Sequence, residues 1–199
     1  MIFVIAATSD YKTANRMLVF IRDYAESTAD AFTIIQTKDE RAPLFSGNGA
    51  TITKPGDLDA GNFHNPWIRA ELSEVEAFVL TATASPASSL PPLAIVLDEQ
   101  GIEDQSCILI EQHHPDDHYG LDPAPTHSFN KMRIPWEDVY MPWCNLDIGN
   151  MSFEDYADED KGPDENGWWQ YQRIDDEMTE EQKLARTAEL KRLAEAGLI

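Results

Sequence analysis

Uninterrupted or alternating apolar runs mark the strands that this chain is expected to form. Residues 2–7 are all apolar, which is typical of a strand buried on both faces of a sheet. The stretches "LAIVLDE" (93–99) and "CILIEQ" (107–112) predict two neighbouring strands. Apolar residues also alternate along 129–134 before a proline, and "AFTIIQT" (31–37) has strand composition. The pattern therefore predicts about five strands.

Apolar residues that recur every three or four positions predict the helices. One stripe covers residues 14–24, and Asp10 is among the candidate N-caps before it. Residues 67–80 also have a helical pattern, although 78–83 could instead continue as a strand. The segment 179–199 has a capping-box sequence at its start and a glycine near its end, so it predicts a C-terminal helix.

Together these elements predict an α+β (or α/β) fold with a single mixed sheet of about five strands, flanking helices and a C-terminal helix. We expect residues 1–158 to form the core domain. Residues 159–199 are expected to form an acidic aromatic linker and a helix packed on or beside that core. Within residues 1–158 the pattern leaves a long loop at 38–66, rich in Gly, Pro, Asn and Asp.

The net charge of the chain limits the classes of partner that it is expected to bind. The chain has 199 residues with 36 acids and 15 bases, a formal net charge of -21. Nucleic acid is excluded as a direct ligand, because phosphate contacts need Lys and Arg. A basic protein or a small molecule is the expected partner. No apolar run is long enough for a membrane span, and two cysteines make no disulfide framework, so the expected location is the cytoplasm.

Acid is most concentrated between Glu154 and Glu181, called the acidic segment below. It holds twelve acids and two bases, Lys161 and Arg173, and twelve minus two leaves ten net negative charges. Aromatic residues interrupt it, and such residues often anchor interfaces. The sequence therefore predicts an acidic module that binds a basic partner through Tyr156, Asp158, Glu159, Asp160, Trp168, Trp169 and Tyr171.

A second candidate site follows the strand at 107–112. This loop offers imidazole and carboxylate groups at His113, His114, Asp116, Asp117 and His118. Such groups suit acid–base catalysis, so the alternative hypothesis is a small enzyme of a specialised pathway with Tyr140 and Trp143 as pocket walls. Adjacent histidines on a strand point to opposite faces, so no bound metal is expected. Nucleophile-elbow, phosphate-loop and dinucleotide-binding motifs are missing, and no cofactor is expected.

Residues 145–157, "NLDIGNMSFEDYA", carry a more specific pattern. The spacing Asn-Leu-x-x-x-Asn-Met-x-Phe-x-x-Tyr-Ala resembles an uncharacterised domain family of unknown function, over about residues 93–158. This resemblance implies a fold unit and no catalytic residues. We expect Asn145 and Asn150 to satisfy backbone groups in an irregular corner, followed by a helical turn capped by Ser152. The apolar residues expected to pack this corner are Leu146, Ile148, Met151 and Phe153.

Overall fold

The computed structural model describes residues 1–24, 31–39, 52–84, 92–113, 128–158, 160–174 and 178–199. Within these residues the chain forms one five-stranded sheet. Five α-helices and two short 3-10 helices accompany it. The predicted α+β fold with a single mixed sheet and a C-terminal helix is confirmed.

The strands follow one another across the sheet in the order in which they occur along the chain. They are β1 (Ile2–Val4), β2 (Leu93–Leu97), β3 (Ser106–Gln112), β4 (Phe129–Pro135) and β5 (Trp168–Trp169). The central pairs β2–β3 and β3–β4 are antiparallel, whereas the outer pairs β1–β2 and β4–β5 are parallel. The sheet is therefore mixed.

Extended backbone lies alongside β1. Ile34 makes a single parallel bridge to Ile2, so the strand predicted at 31–37 is reduced to one bridge in the structure. This bridge occupies backbone groups of β1 that an open sheet edge would leave exposed. Just after β5, Ala157 and Tyr171 form an antiparallel bridge.

Helices cover both faces of the sheet. They are α1 (Tyr11–Phe20), α2 (Leu72–Thr83), α3 (Glu99–Asp104), a 3-10 helix (Trp136–Asp138), α4 (Tyr140–Asp147), a second 3-10 helix (Phe153–Tyr156) and α5 (Glu180–Glu195). On one face α2 packs over alternate strand residues, with Trp67, Phe3 and Phe78 in mutual edge contact. The other face carries α1, the first 3-10 helix and α4. Every residue of β2 is buried because its side chains alternate between these two cores.

Local sequence signals set several helix ends. The Asp10 side chain accepts a hydrogen bond from the Thr13 amide and caps α1. The predicted capping box of Thr179 with Gln182 begins α5 and is confirmed. The alternative of a strand at 78–83 is wrong, because α2 continues to Thr83.

The chain beyond residue 158 contacts the first part closely. It supplies β5, while Leu193 of α5 is fully buried. The Asn15 amide donates to the carbonyls of Leu58 and Leu198, and its side-chain oxygen accepts from the Gly56 amide. In this way α1 joins a loop to the end of the chain. The domain boundary at 158 stays a prediction. None of the helices seen in the described ranges is long and apolar enough to cross a membrane.

Candidate functional site

An open pocket of about 200 Å³ lies between the end of α1, the first half of α4 and the chain that follows β5. We call it the tyrosine–methionine pocket after its most frequent wall residues. It is lined by Arg22, Asp23, Tyr24, Glu137, Asp138, Tyr140, Met141, Pro142, Asn145, Met151, Tyr156, Tyr171, Ile174, Met178 and Gln182. The acidic segment supplies four of these residues, so part of its chain is a wall of the pocket.

Helix α4 divides its side chains between the core and the pocket. Trp143 and Leu146 are buried in the core, while Tyr140, Met141 and Asn145 line the pocket. This division follows from the period of 3.6 residues per turn. Pro142 lies in the first turn, where a helix has no intrahelical partner for the backbone N–H that proline lacks.

A hydrogen-bonded chain of side chains fixes the wall formed by residues 145–156. The Asn145 side-chain amide donates to the Tyr156 hydroxyl at 2.7 Å. The Tyr156 hydroxyl in turn donates to Met151 Sδ at 3.0 Å. The Asn150 amide donates to Asn145 Oδ1 at 2.9 Å. The prediction that the two asparagine side chains satisfy backbone groups is therefore wrong.

The turn after these asparagines is set by a capping box. The Ser152 amide and hydroxyl both donate to Asp155, and the second 3-10 helix follows. The predicted cap at Ser152 is confirmed. Phe153 is fully buried and holds the turn against the core, whereas Ile148 is 72% exposed, so its predicted packing role is wrong.

Charged groups at one end of the pocket are matched by arginines. The Arg173 guanidinium lies 2.9 Å from Asp138, whose side chain is 8% exposed. Arg186 lies 3.4 Å from Glu137. Burial raises the pKa of the Asp138 carboxyl, and the positive charge of Arg173 opposes this rise.

Three tyrosines of the pocket have a pKa above the ordinary value and stay neutral at neutral pH. Burial is the main cause that raises the pKa of Tyr140, Tyr156 and Tyr171. Tyr171 is raised further by the neighbouring Asp138 carboxylate. These hydroxyls can donate and accept hydrogen bonds, but none is tuned as a base near pH 7.

The histidine and aspartate loop does not contribute to this pocket within the described residues. His113 is buried just after β3, where its amide donates to the Ser128 carbonyl at 2.9 Å. The other four candidates, His114, Asp116, Asp117 and His118, lie outside the described residues. No group of three potential metal ligands occurs in the part of the chain that the structure describes. Of the two predicted pocket walls, Tyr140 lines the pocket, whereas Trp143 packs in the core at 4.8 Å from the Phe32 ring.

The aromatics of the acidic segment hold it against the sheet. Trp169 is buried, and its indole N–H donates to Asn130 at 3.2 Å. Trp168 packs on the opposite face of the sheet. Tyr156 is only 3% exposed, while Tyr171 is half-buried beside Asp138. The aromatic rings are thus mostly turned inward.

Several described acids of the same segment face solvent, among them Asp155, Asp160 and Glu165. Asp160 is exposed, Asp158 pairs with Lys161 at 2.8 Å, and Glu159 lies outside the described residues. The hydrogen bond and charge of Lys161 lower the pKa of the Asp158 carboxyl. The result is a charged surface on a backbone that its rings fix in place.

Sequence reasoning missed the methionine wall of the pocket. Met141, Met151 and Met178 come from separate parts of the chain, and no local spacing connects them. The only sequence signal was the presence of Met151 in the Asn-Leu-x-x-x-Asn-Met pattern.

Protein-family models, curated proteins and solved structures were compared with this chain, and none of them matches it. The resemblance of residues 93–158 to an uncharacterised family stays a prediction.

Proposed function

We propose that this protein is a non-catalytic binding module that engages a basic partner through the acidic segment. One observation carries the proposal: the segment's rings are anchored in the sheet while its carboxylates at Asp155, Asp160 and Glu165 are exposed. A charged surface on a fixed backbone loses little conformational entropy on binding.

The bases within the segment are already engaged by acids. Lys161 pairs with Asp158, and Arg173 pairs with Asp138. They are therefore poorly placed to neutralise the exposed carboxylates beside them. Excess negative charge of this kind speeds association with a basic partner and makes it sensitive to salt. We place this activity in the cytoplasm, as the cysteine content predicts.

The alternative, a small enzyme with His and carboxylate acid–base chemistry, has less support. His113, the one candidate of that group among the described residues, does not line the tyrosine–methionine pocket. The buried carboxylate of the pocket, Asp138, is held in an ion pair by Arg173 at 2.9 Å. Raised pKa values keep the hydroxyls of Tyr140, Tyr156 and Tyr171 from acting as bases near neutral pH.

Selection from a random peptide library tests the proposal even while the identity of the partner is open. We expect the immobilised protein to enrich peptides rich in Lys and Arg, with binding that weakens at roughly 0.3 M salt. The double variant Asp160→Asn/Glu165→Gln should weaken binding of the selected peptides. The matched control Glu99→Gln/Glu103→Gln removes two exposed charges from α3 and should bind them as the wild type does. Enrichment of neutral or acidic peptides, or equal loss in both variants, would overturn the proposal.

A further inference from the structure

The size of the tyrosine–methionine pocket limits what can fill it. Its volume is about 200 Å³, below the roughly 300–1,000 Å³ of pockets that hold whole drug-sized ligands. An apolar cavity of about 150 Å³ already accommodates a benzene ring. The space therefore fits one large side chain better than it fits a cofactor.

Apolar and adaptable side chains form much of the lining. Three of the six methionines of the chain, Met141, Met151 and Met178, lie on it. Methionine has a flexible and polarisable side chain, contacts aromatic rings favourably and is frequent on surfaces that bind partners. Met141 and Ile174 are 47% and 46% exposed at this pocket. Large apolar side chains that share an open pocket in this way are typical of an interaction site.

The balance of charges inside the pocket differs from that around it. Of the charged lining residues, Asp138 and Glu137 are matched by Arg173 and Arg186. The other two, Arg22 and Asp23, carry opposite charges, so the lining favours a neutral occupant. Beside it, the exposed carboxylates of Asp155 and Glu181, which are the chain neighbours of the lining residues Tyr156 and Gln182, favour cations. An occupant that satisfies both conditions has an uncharged ring with positive charges on either side of it.

We infer that the tyrosine–methionine pocket is the anchor site for a single aromatic side chain of the basic partner, flanked in that partner by Lys or Arg residues. This inference rests on the proposed function and adds to it the chemistry of the contact. In many protein interfaces a buried aromatic anchor contributes most of the binding free energy, and the contacts around it contribute less. The ring provides most of the affinity, whereas the flanking cations provide rate and orientation.

Synthetic peptides test the inference. The first probe is a short labelled peptide of alternating lysine and serine with one central tryptophan, and the second replaces that tryptophan by alanine. We expect the tryptophan peptide to bind at least about tenfold tighter, as for an interface hot spot. The double variant Met141→Ser/Ile174→Ser should reduce this ratio at least threefold, because two apolar side chains of the pocket are removed.

A matched control comes from two apolar residues that do not line the pocket. Ile148 and Leu184 are 72% and 69% exposed, so the variant Ile148→Ser/Leu184→Ser makes the same kind of change elsewhere. It should keep the wild-type ratio between the two peptides. Equal loss of the ratio in both variants would overturn the inference.

The outcomes distinguish the two proposals. If both peptides bind equally and with strong salt dependence, the anchor inference fails while the binding function stands. If neither binds at low salt, the proposed function fails as well. If a third peptide with serine in place of lysine binds as tightly as the first, the basic flanks are wrong and the inference is overturned.

Discussion

The side-chain amide of Asn145 donates a hydrogen bond to the hydroxyl of Tyr156 at 2.7 Å and so joins α4 to the 3-10 helix after it. The two residues are eleven positions apart in the chain, and both line the tyrosine–methionine pocket. The bond therefore sets the distance between two walls of the candidate site.

Removal of that hydroxyl is expected to weaken the corner. Tyr156→Phe keeps the buried ring but leaves the Asn145 amide without this acceptor, so we expect a loss of about 1 kcal/mol in the free energy of unfolding. Urea unfolding measures the loss. In a double-mutant cycle with Asn145→Ala the two losses should be less than additive. Strict additivity would show that the bond contributes nothing.

A second prediction concerns the ion pair between α2 and β4. Lys131 Nζ lies 2.8 Å from Glu76, and the two side chains are 9% and 22% exposed. Glu76→Gln leaves a buried ammonium without its carboxylate, so we expect a loss of about 2 kcal/mol by urea unfolding. The control is Glu195→Gln at the end of α5. Its partner Lys191 is 77% exposed at 3.9 Å, and no measurable loss is expected. Equal effects of the two variants would contradict the assignment of burial as the cause.

The third prediction tests how the C-terminal helix docks. A methyl group at Gly56 would lie 2.8 Å from Leu193 Cδ2, at a backbone φ of +92°. Gly56→Ala should cost about 2 kcal/mol through strain and crowding. It should also speed amide hydrogen exchange in α5. At Gly149, with φ +65° and nothing within 4 Å of an added methyl, alanine should cost about 1 kcal/mol from the backbone alone. Faster exchange in α5 of the Gly149 variant would argue against local crowding.

The fourth prediction is a dependence of stability on pH. Arg173 opposes the rise that burial causes in the pKa of Asp138, so Arg173→Gln should raise that pKa further. When a carboxyl has a higher pKa in the folded state than in the unfolded state, the free energy of unfolding falls as pH rises from the unfolded to the folded pKa. Below both values it is protonated in both states and there is no loss. The variant should therefore be less stable than the wild type by about 1 kcal/mol at neutral pH, and this deficit should shrink as pH falls through the folded pKa of Asp138.

Urea unfolding of both proteins between about pH 7.5 and about pH 5 measures this change. Lys191→Gln is the control, because it removes a base of α5 that is far less buried. The Lys191 side chain is 77% exposed and lies 3.9 Å from Glu195, so no measurable change is expected at either pH. A deficit of the Arg173 variant that grows towards low pH would reverse the predicted sign.

The sequence alone determined the local structure. A few neighbouring residues were enough to predict the strands β2 and β3 from their apolar runs. The same holds for the capping boxes at Ser152 and Thr179, because side-chain alternation and helix capping depend on near neighbours. The short helix α3 was missed, although Asp98 caps it, since six residues are too few for a periodic pattern. The segment 31–37 has the composition of a strand, but it pairs with β1 at a single residue. The chain around the segment determines this pairing.

The tertiary structure decided the candidate site. Tyr140 and Met178 meet at one pocket because the tertiary structure brings α4, the chain after α1 and the chain just before α5 together, and no spacing along the chain encodes that meeting. Burial in turn decides which rings are structural, as at Trp169, and which acids are free to attract a partner, as at Asp160. Composition fixed the negative charge of the acidic segment. Whether that charge sits on a disordered tail or on a fixed surface depends on long-range packing, because only the sheet provides a place for its aromatic residues to be buried.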